Sequence, residues 1–130
     1  MIKPTDHGVP TPWHQDAAYY DENFEYWGLT FWTALDRTTL DNGCMHYIAG
    51  SHCQGVAAHH TIITDTEAPE LEVDELPDLE ICAVPLSPGD AVVHDIKLLH
   101  AAGPNMTDGP RRAYAMGFSL EPKPKKSPSN

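Results

Sequence analysis

Proline and glycine recur along this chain, with twelve of the first and nine of the second in 130 residues. Proline removes a backbone donor and fixes φ, and glycine weakens a helix interior, so this punctuation argues against long helices and for short strands joined by turns. The intervening segments agree. Leu29 to Leu35 is rich in β-formers, and Cys44 to Ile48, Val56 to Ile63, Ile81 to Leu86, Ala91 to His94 and Arg112 to Leu120 read as further short strands. Asp41-Asn42-Gly43, Gly50-Ser51-His52 and Ser87-Pro88-Gly89-Asp90 are turn signals, with Ser51 expected to bond local backbone. Asp21 to Tyr26 reads as a loop or a single helical turn. The expected class is all-β: a barrel, jelly roll or sandwich.

A chain of this length builds one core. We expect a single domain over 1–121 and a flexible Pro/Lys-rich tail over 122–130. Asp65 to Glu80, with eight acids and no base, reads as a solvated loop. The formal charge of −11 argues against nucleic acid and anionic membranes as partners, and no apolar run approaches the roughly 20 residues of a membrane span. Cys44, Cys53 and Cys82 form no Cys-x-x-Cys and cannot all pair internally, so they read as reduced thiols of a cytoplasmic protein.

The chemistry is expected at Pro12-Trp13-His14-Gln15-Asp16-Ala17-Ala18-Tyr19-Tyr20. In an extended strand, residues two apart share a face, so His14 and Asp16 would offer an imidazole and a carboxylate together while Gln15 turns away. Two histidines and one carboxylate, with the opposite face open, is the ligand set of non-haem Fe(II) oxygenases. His100 is the candidate third ligand, brought in from far along the chain only if a sheet folds. Eleven positions later, Arg111 offers a planar fork suited to the carboxylate of a dicarboxylate cosubstrate. His46, His52, His59 and His60 read as bystanders, the last two pointing to opposite faces. His94 reads as a packed residue or a support for a ligand.

In their order, Pro12 to Ala17, Ala34-Leu35-Asp36, Asn42-Gly43-Cys44, Gly50-Ser51-His52, Pro88-Gly89-Asp90 and the run from His100 to Arg111 resemble the phytanoyl-CoA dioxygenase family. The resemblance implies a double-stranded β-helix, the jelly-roll or cupin-like architecture, lacking most of the family's N-terminal helical segment. It implies Fe(II) held by His14, Asp16 and His100 as the catalytic centre, and 2-oxoglutarate as cosubstrate. Arg111 would bind the cosubstrate's far carboxylate, with Trp32 and Lys3 as further cofactor-binding positions. Because neighbours on a strand face opposite ways, Arg111 and not Arg112 would enter the pocket. The implied activity hydroxylates a small organic molecule while 2-oxoglutarate is decarboxylated to succinate. The carboxylate of Asp16 speaks against halogenation, which needs that position vacated for chloride. A cupin-like metal protein without 2-oxoglutarate, or a truncated non-catalytic member, are the alternatives. With part of one flank uncovered, Leu29 and Phe31 would face water and a homodimer is expected.

Overall fold

In the computed structural model, which describes residues 1–5, 9–63 and 68–126, regular structure is almost all β. The strands are β1 (Ile2–Lys3), β2 (Thr11–His14), β3 (Phe24–Glu25), β4 (Gly28–Ala34), β5 (Met45–Ile48), β6 (His59–Ile62), β7 (Glu70–Val73), β8 (Ile81–Val84), β9 (Ala91–Asp95), β10 (His100–Ala102), β11 (Arg111–Ser119) and β12 (Lys123–Pro124). Single 3₁₀ turns at Asp16–Tyr19 and Ser51–Gln54 interrupt them. Among the described residues, no helix is long and apolar enough to cross a membrane.

Two four-stranded sheets carry the architecture, ordered β1-β11-β4-β9 and β2-β10-β5-β8, with every pairing antiparallel. Trp32 and Ala34 of β4 and Ala113 of β11 meet Met45 and Tyr47 of β5 and Ala102 of β10 in one buried cluster, so the core lies between the sheets. This is the expected jelly roll. Alternation along β4 sends Thr30, Trp32 and Ala34 inward and Leu29 and Phe31 outward. Leu29 is exposed, while Phe31 rests edge-on against Phe118 of β11, with ring centroids 5.4 Å apart.

The ribbon of β6 and β7 corrects the reading of Asp65 to Glu80 as a solvated loop. Residues 64–67 lie outside the described residues, but Glu70–Val73 is a strand. Its acids alternate with apolar residues. Val73 therefore reaches a second cluster with Ile48 and Leu99, against which Trp13 packs, while Glu72 stays beside His60 at 3.5 Å. The net charge of the stretch obscured a period of two.

Two smaller differences concern the flanks of the barrel. Asp21 to Tyr26 ends in a strand, and Lys123–Pro124 pairs with it, so the expected tail is held to the domain at β12. Proline is tolerated there because β12 is an edge. Residues 127–130 lie outside the described residues.

Candidate metal centre

β2 and β10 are neighbours, and their register sets His14 directly opposite His100. Between His100 and Ala102 the register shifts by one residue, Pro12 and Trp13 of β2 standing against Ala101 alone, and Pro12 has no N–H to give to the ladder. Asp16 arrives differently from the expectation. β2 ends at His14, and Asp16 opens a 3₁₀ turn. Gln15 between them is still extended, at φ −117° and ψ 133°, so the carboxylate keeps the face of His14. Gln15 turns away as expected and is buried, donating to the carbonyls of Gly55 and Lys97 and accepting from the Ala57 amide at 2.8 Å.

The three side chains meet. Asp16 Oδ1 lies 3.6 Å from His14 Nε2 and 3.5 Å from His100 Nε2. The ligand atoms of His14, Asp16 and His100 all fall within 4.8 Å of one another. Bonds of about 2.1 Å to one ion put adjacent ligands about 3 Å apart and opposite ones about 4 Å apart, so the spacing suits a shared cation.

The histidine tautomers suit it too. Nδ1 of His14 donates to the Pro12 carbonyl at 2.8 Å, and Nδ1 of His100 to the Leu98 carbonyl at 2.8 Å. Carbonyls only accept, so both Nδ1 atoms carry the proton and both Nε2 lone pairs face Asp16. Burial raises the Asp16 carboxyl, but the imidazoles packed around it, His100 first and then His14 and His94, outweigh it and hold the group well below the usual carboxylate range. Burial lowers both histidines. In His14 the Asp16 carboxylate beside it reverses this and leaves it raised, whereas His100 stays lowered.

Asp16 Oδ2 faces elsewhere. Thr30 of β4 donates its hydroxyl to it at 2.7 Å, and His94 of β9 brings Nε2 to 3.5 Å. Thr30 and His94 are cross-strand partners. Tyr47, opposite His100 on β5, sets its hydroxyl 3.2 Å from His94 Nδ1. Thr30 and Tyr47 were not anticipated from the sequence. Each is recruited by register across a sheet, which one strand's own sequence does not reveal.

Arg111 opens β11 and is 1% exposed, with its guanidinium carbon 5.0 Å from the centre of the Trp32 ring. Arg111 Nε and Nη1 and Trp32 Nε1 are buried without a hydrogen-bond partner. Lys3, paired with Arg111 across β1 and β11, is also buried, and burial together with Arg111 lowers its ammonium to about 8. Its Nζ donates to the Val9 carbonyl at 2.6 Å and to Thr11 Oγ1 at 3.3 Å, so its bonds are already engaged. Arg112 faces out and forks onto Asp36, with Nε 2.9 Å from Oδ2 and Nη2 2.7 Å from Oδ1.

Two buried polar residues brace these positions. Asn105 donates to the carbonyls of Lys3, Pro4 and Gly109, tying the loop before Arg111 to the first strand. Ser51 was expected to serve its own turn. Instead its Oγ accepts the Leu99 amide at 2.9 Å, fixing the residue before His100. A cleft of about 880 Å³ begins at Ala17 and Ala18 and includes Tyr20, Phe24, Tyr26 and His59.

A jelly roll in which two neighbouring strands and the turn after one of them present two histidines and an aspartate defines a candidate mononuclear metal protein. The chain belongs to the phytanoyl-CoA dioxygenase family, whose model, described as Phytanoyl-CoA dioxygenase (PhyH), matches residues 1–113. A probable phytanoyl-CoA dioxygenase of Caenorhabditis elegans is 30% identical over 135 residues, covering 90% of this chain and 39% of the relative. A probable alpha-ketoglutarate-dependent hypophosphite dioxygenase of Stutzerimonas stutzeri is 30% identical over 118 residues, covering 86% of this chain and 40% of the relative. The crystal structure of EvdO2 from Micromonospora carbonacea var. aurantiaca is 45% identical with a TM-score of 0.90, covering 98% of this chain and 52% of that one. EvdO2 has also been solved complexed with 2-oxoglutarate. The chain therefore spans about two fifths of these curated relatives and about half of EvdO2.

Proposed function

We propose that this chain carries the active site of an Fe(II)- and 2-oxoglutarate-dependent dioxygenase that hydroxylates a small organic molecule. The observation that carries the reading is the pairing of two unlike sites in one barrel: a His-Asp-His cluster with its Nε2 lone pairs turned inward, and buried guanidinium and indole donors without partners. Buried polar groups are ordinarily satisfied, so the donors fit a ligand that supplies acceptors. A dicarboxylate does so.

In this reading His14, Asp16 and His100 would hold the metal from one side. Arg111 pairs with the far carboxylate, helped by Trp32 Nε1, while Lys3 adds positive potential behind it. Trp32, Tyr47 and Arg111 are buried, and a low-dielectric surrounding strengthens a charge contact made there. Bound iron would couple oxygen to the oxidative decarboxylation of 2-oxoglutarate, giving succinate, carbon dioxide and a hydroxylated substrate. We place the substrate in the cleft that begins at Ala17 and Ala18, directly after Asp16.

The test is succinate release from 2-oxoglutarate by the purified chain with Fe(II) and oxygen. Release that disappears in His100→Ala supports the reading. Tight metal binding with no turnover and no 2-oxoglutarate affinity would instead describe a cupin-like metal protein.

A further inference from the structure

His94 is a third imidazole at the cluster. It is 4% exposed, its ring centroid lies 4.5 Å from that of His100, and its Nε2 has no hydrogen-bond partner. Yet it does not join His14, Asp16 and His100 in the mutually close set that one ion could bridge. Its wiring also differs from theirs. The Nδ1 atoms of His14 and His100 rest on carbonyls, which can only accept. His94 Nδ1 instead faces the Tyr47 hydroxyl at 3.2 Å. A phenol that donates to Nδ1 leaves the proton of neutral His94 on Nε2, and that atom looks at Asp16 Oδ2 from 3.5 Å. The reverse arrangement would aim a bare lone pair at Asp16 Oδ2 from outside the mutually close set, with no shared cation for it to coordinate. Burial raises the Tyr47 phenol, which keeps it a donor.

We infer that His94, set by Tyr47, is a positioning residue whose Nε2–H faces Asp16 Oδ2 at 3.5 Å, draws that oxygen toward itself and so would keep the carboxylate monodentate toward a metal through Oδ1. The inference rests on the proposed metal role of His14, Asp16 and His100. Thr30, the cross-strand partner of His94, grips the same oxygen at 2.7 Å, so β4 and β9 hold Oδ2 while β2 and β10 present Oδ1 to the two ligand histidines. Coordination number gives the device its purpose. On a six-coordinate metal, three protein bonds would leave three positions open, enough for a chelating 2-oxo acid and one more molecule. A bidentate Asp16 would take one of the three. Partners behind a ligand commonly tune metal affinity in this way.

The experiment is an anaerobic titration of Co(II) into the apo-protein, read by calorimetry and by the cobalt visible spectrum, with folding checked by circular dichroism. His94→Phe keeps the volume but not the donor, and should bind Co(II) about 10–100-fold more weakly with an altered spectrum. His94→Gln can place an amide N–H where Nε2 stands, and should recover affinity and spectrum to within about threefold of wild type. Wild-type affinity and spectrum in His94→Phe overturn the inference, as does a His94→Gln protein no better than His94→Phe. Should His94→Phe fail to fold, Tyr47→Phe decides, because it frees the tautomer without touching His94. A weakened, spectrally shifted site supports the inference, and an unchanged one contradicts it. His14→Ala separates the two readings: if it still binds Co(II) as wild type does, the ligand set itself is wrong.

Discussion

Arg111 lies over the Trp32 ring, 5.0 Å from guanidinium carbon to ring centre, and both are sealed from solvent while keeping unspent donors. The ring contact restrains the guanidinium, and burial makes an unpaired donor expensive. Arg111→Lys keeps the charge and loses the fork. We expect 2-oxoglutarate to bind about 1–3 kcal/mol more weakly, with Co(II) affinity nearly unchanged, as calorimetry would report.

The neighbouring Arg112 is the control for strand register. Its partner is Asp36 on the outer surface, whose carboxyl Arg112 draws down to about 2. Arg112→Lys should leave 2-oxoglutarate binding unchanged. A loss there with an intact Arg111→Lys protein would mean that β11 runs in the opposite register.

Gly43 and Gly89 both sit at positive φ, 88° and 91°, yet they should respond differently to alanine. A Cβ on Gly43 would stand 2.5 Å from the Gly103 carbonyl oxygen and 2.9 Å from Lys3 Cδ, whereas Gly89 faces open space. Gly89→Ala pays for the left-handed backbone alone, about 1 kcal/mol. Gly43→Ala adds the clash and should lose at least about 2 kcal/mol. Denaturant melts of the two variants check the ordering.

Lys3 carries a pH signature. Its folded ammonium is lowered to about 8 from 10.5, by burial first and then by Arg111. Below pH 8 both folded and unfolded chains hold the proton, and its desolvation opposes folding. Between pH 8 and 10.5 the unfolded chain binds more protons, so stability rises with pH through this group. Relative to Lys3→Met, wild type should therefore gain stability across that window. A constant difference between the two melts would contradict it.

The all-β jelly roll and the convergence of His14, Asp16 and His100 could both be anticipated from the sequence, whereas details of the frame could not. His14, Asp16, His100 and Arg111 were legible because a strand's period of two and the order of the flanking motifs are local properties. Two local exceptions escaped that logic. The strand stops at His14, and Asp16 keeps its face because Gln15, pinned to the loop at Gly55 and Ala57, stays extended. β7 was hidden because the acids of Glu70 and Glu72 masked the alternation with Leu71 and Val73. Thr30, Tyr47 and Ser51 were illegible for a different reason. Their roles come from residues on other strands or 48 positions away, and cross-strand register is a product of the whole fold.

The measurement that bears most directly on the whole account is the visible charge-transfer band of an Fe(II)·2-oxoglutarate chelate, recorded anaerobically on the purified chain. A cation open on one face and a cosubstrate anchored by Arg111 should produce that band in wild type, and His14→Ala should lose it. The same band at wild-type strength in His14→Ala would contradict the assignment of the metal to His14, Asp16 and His100.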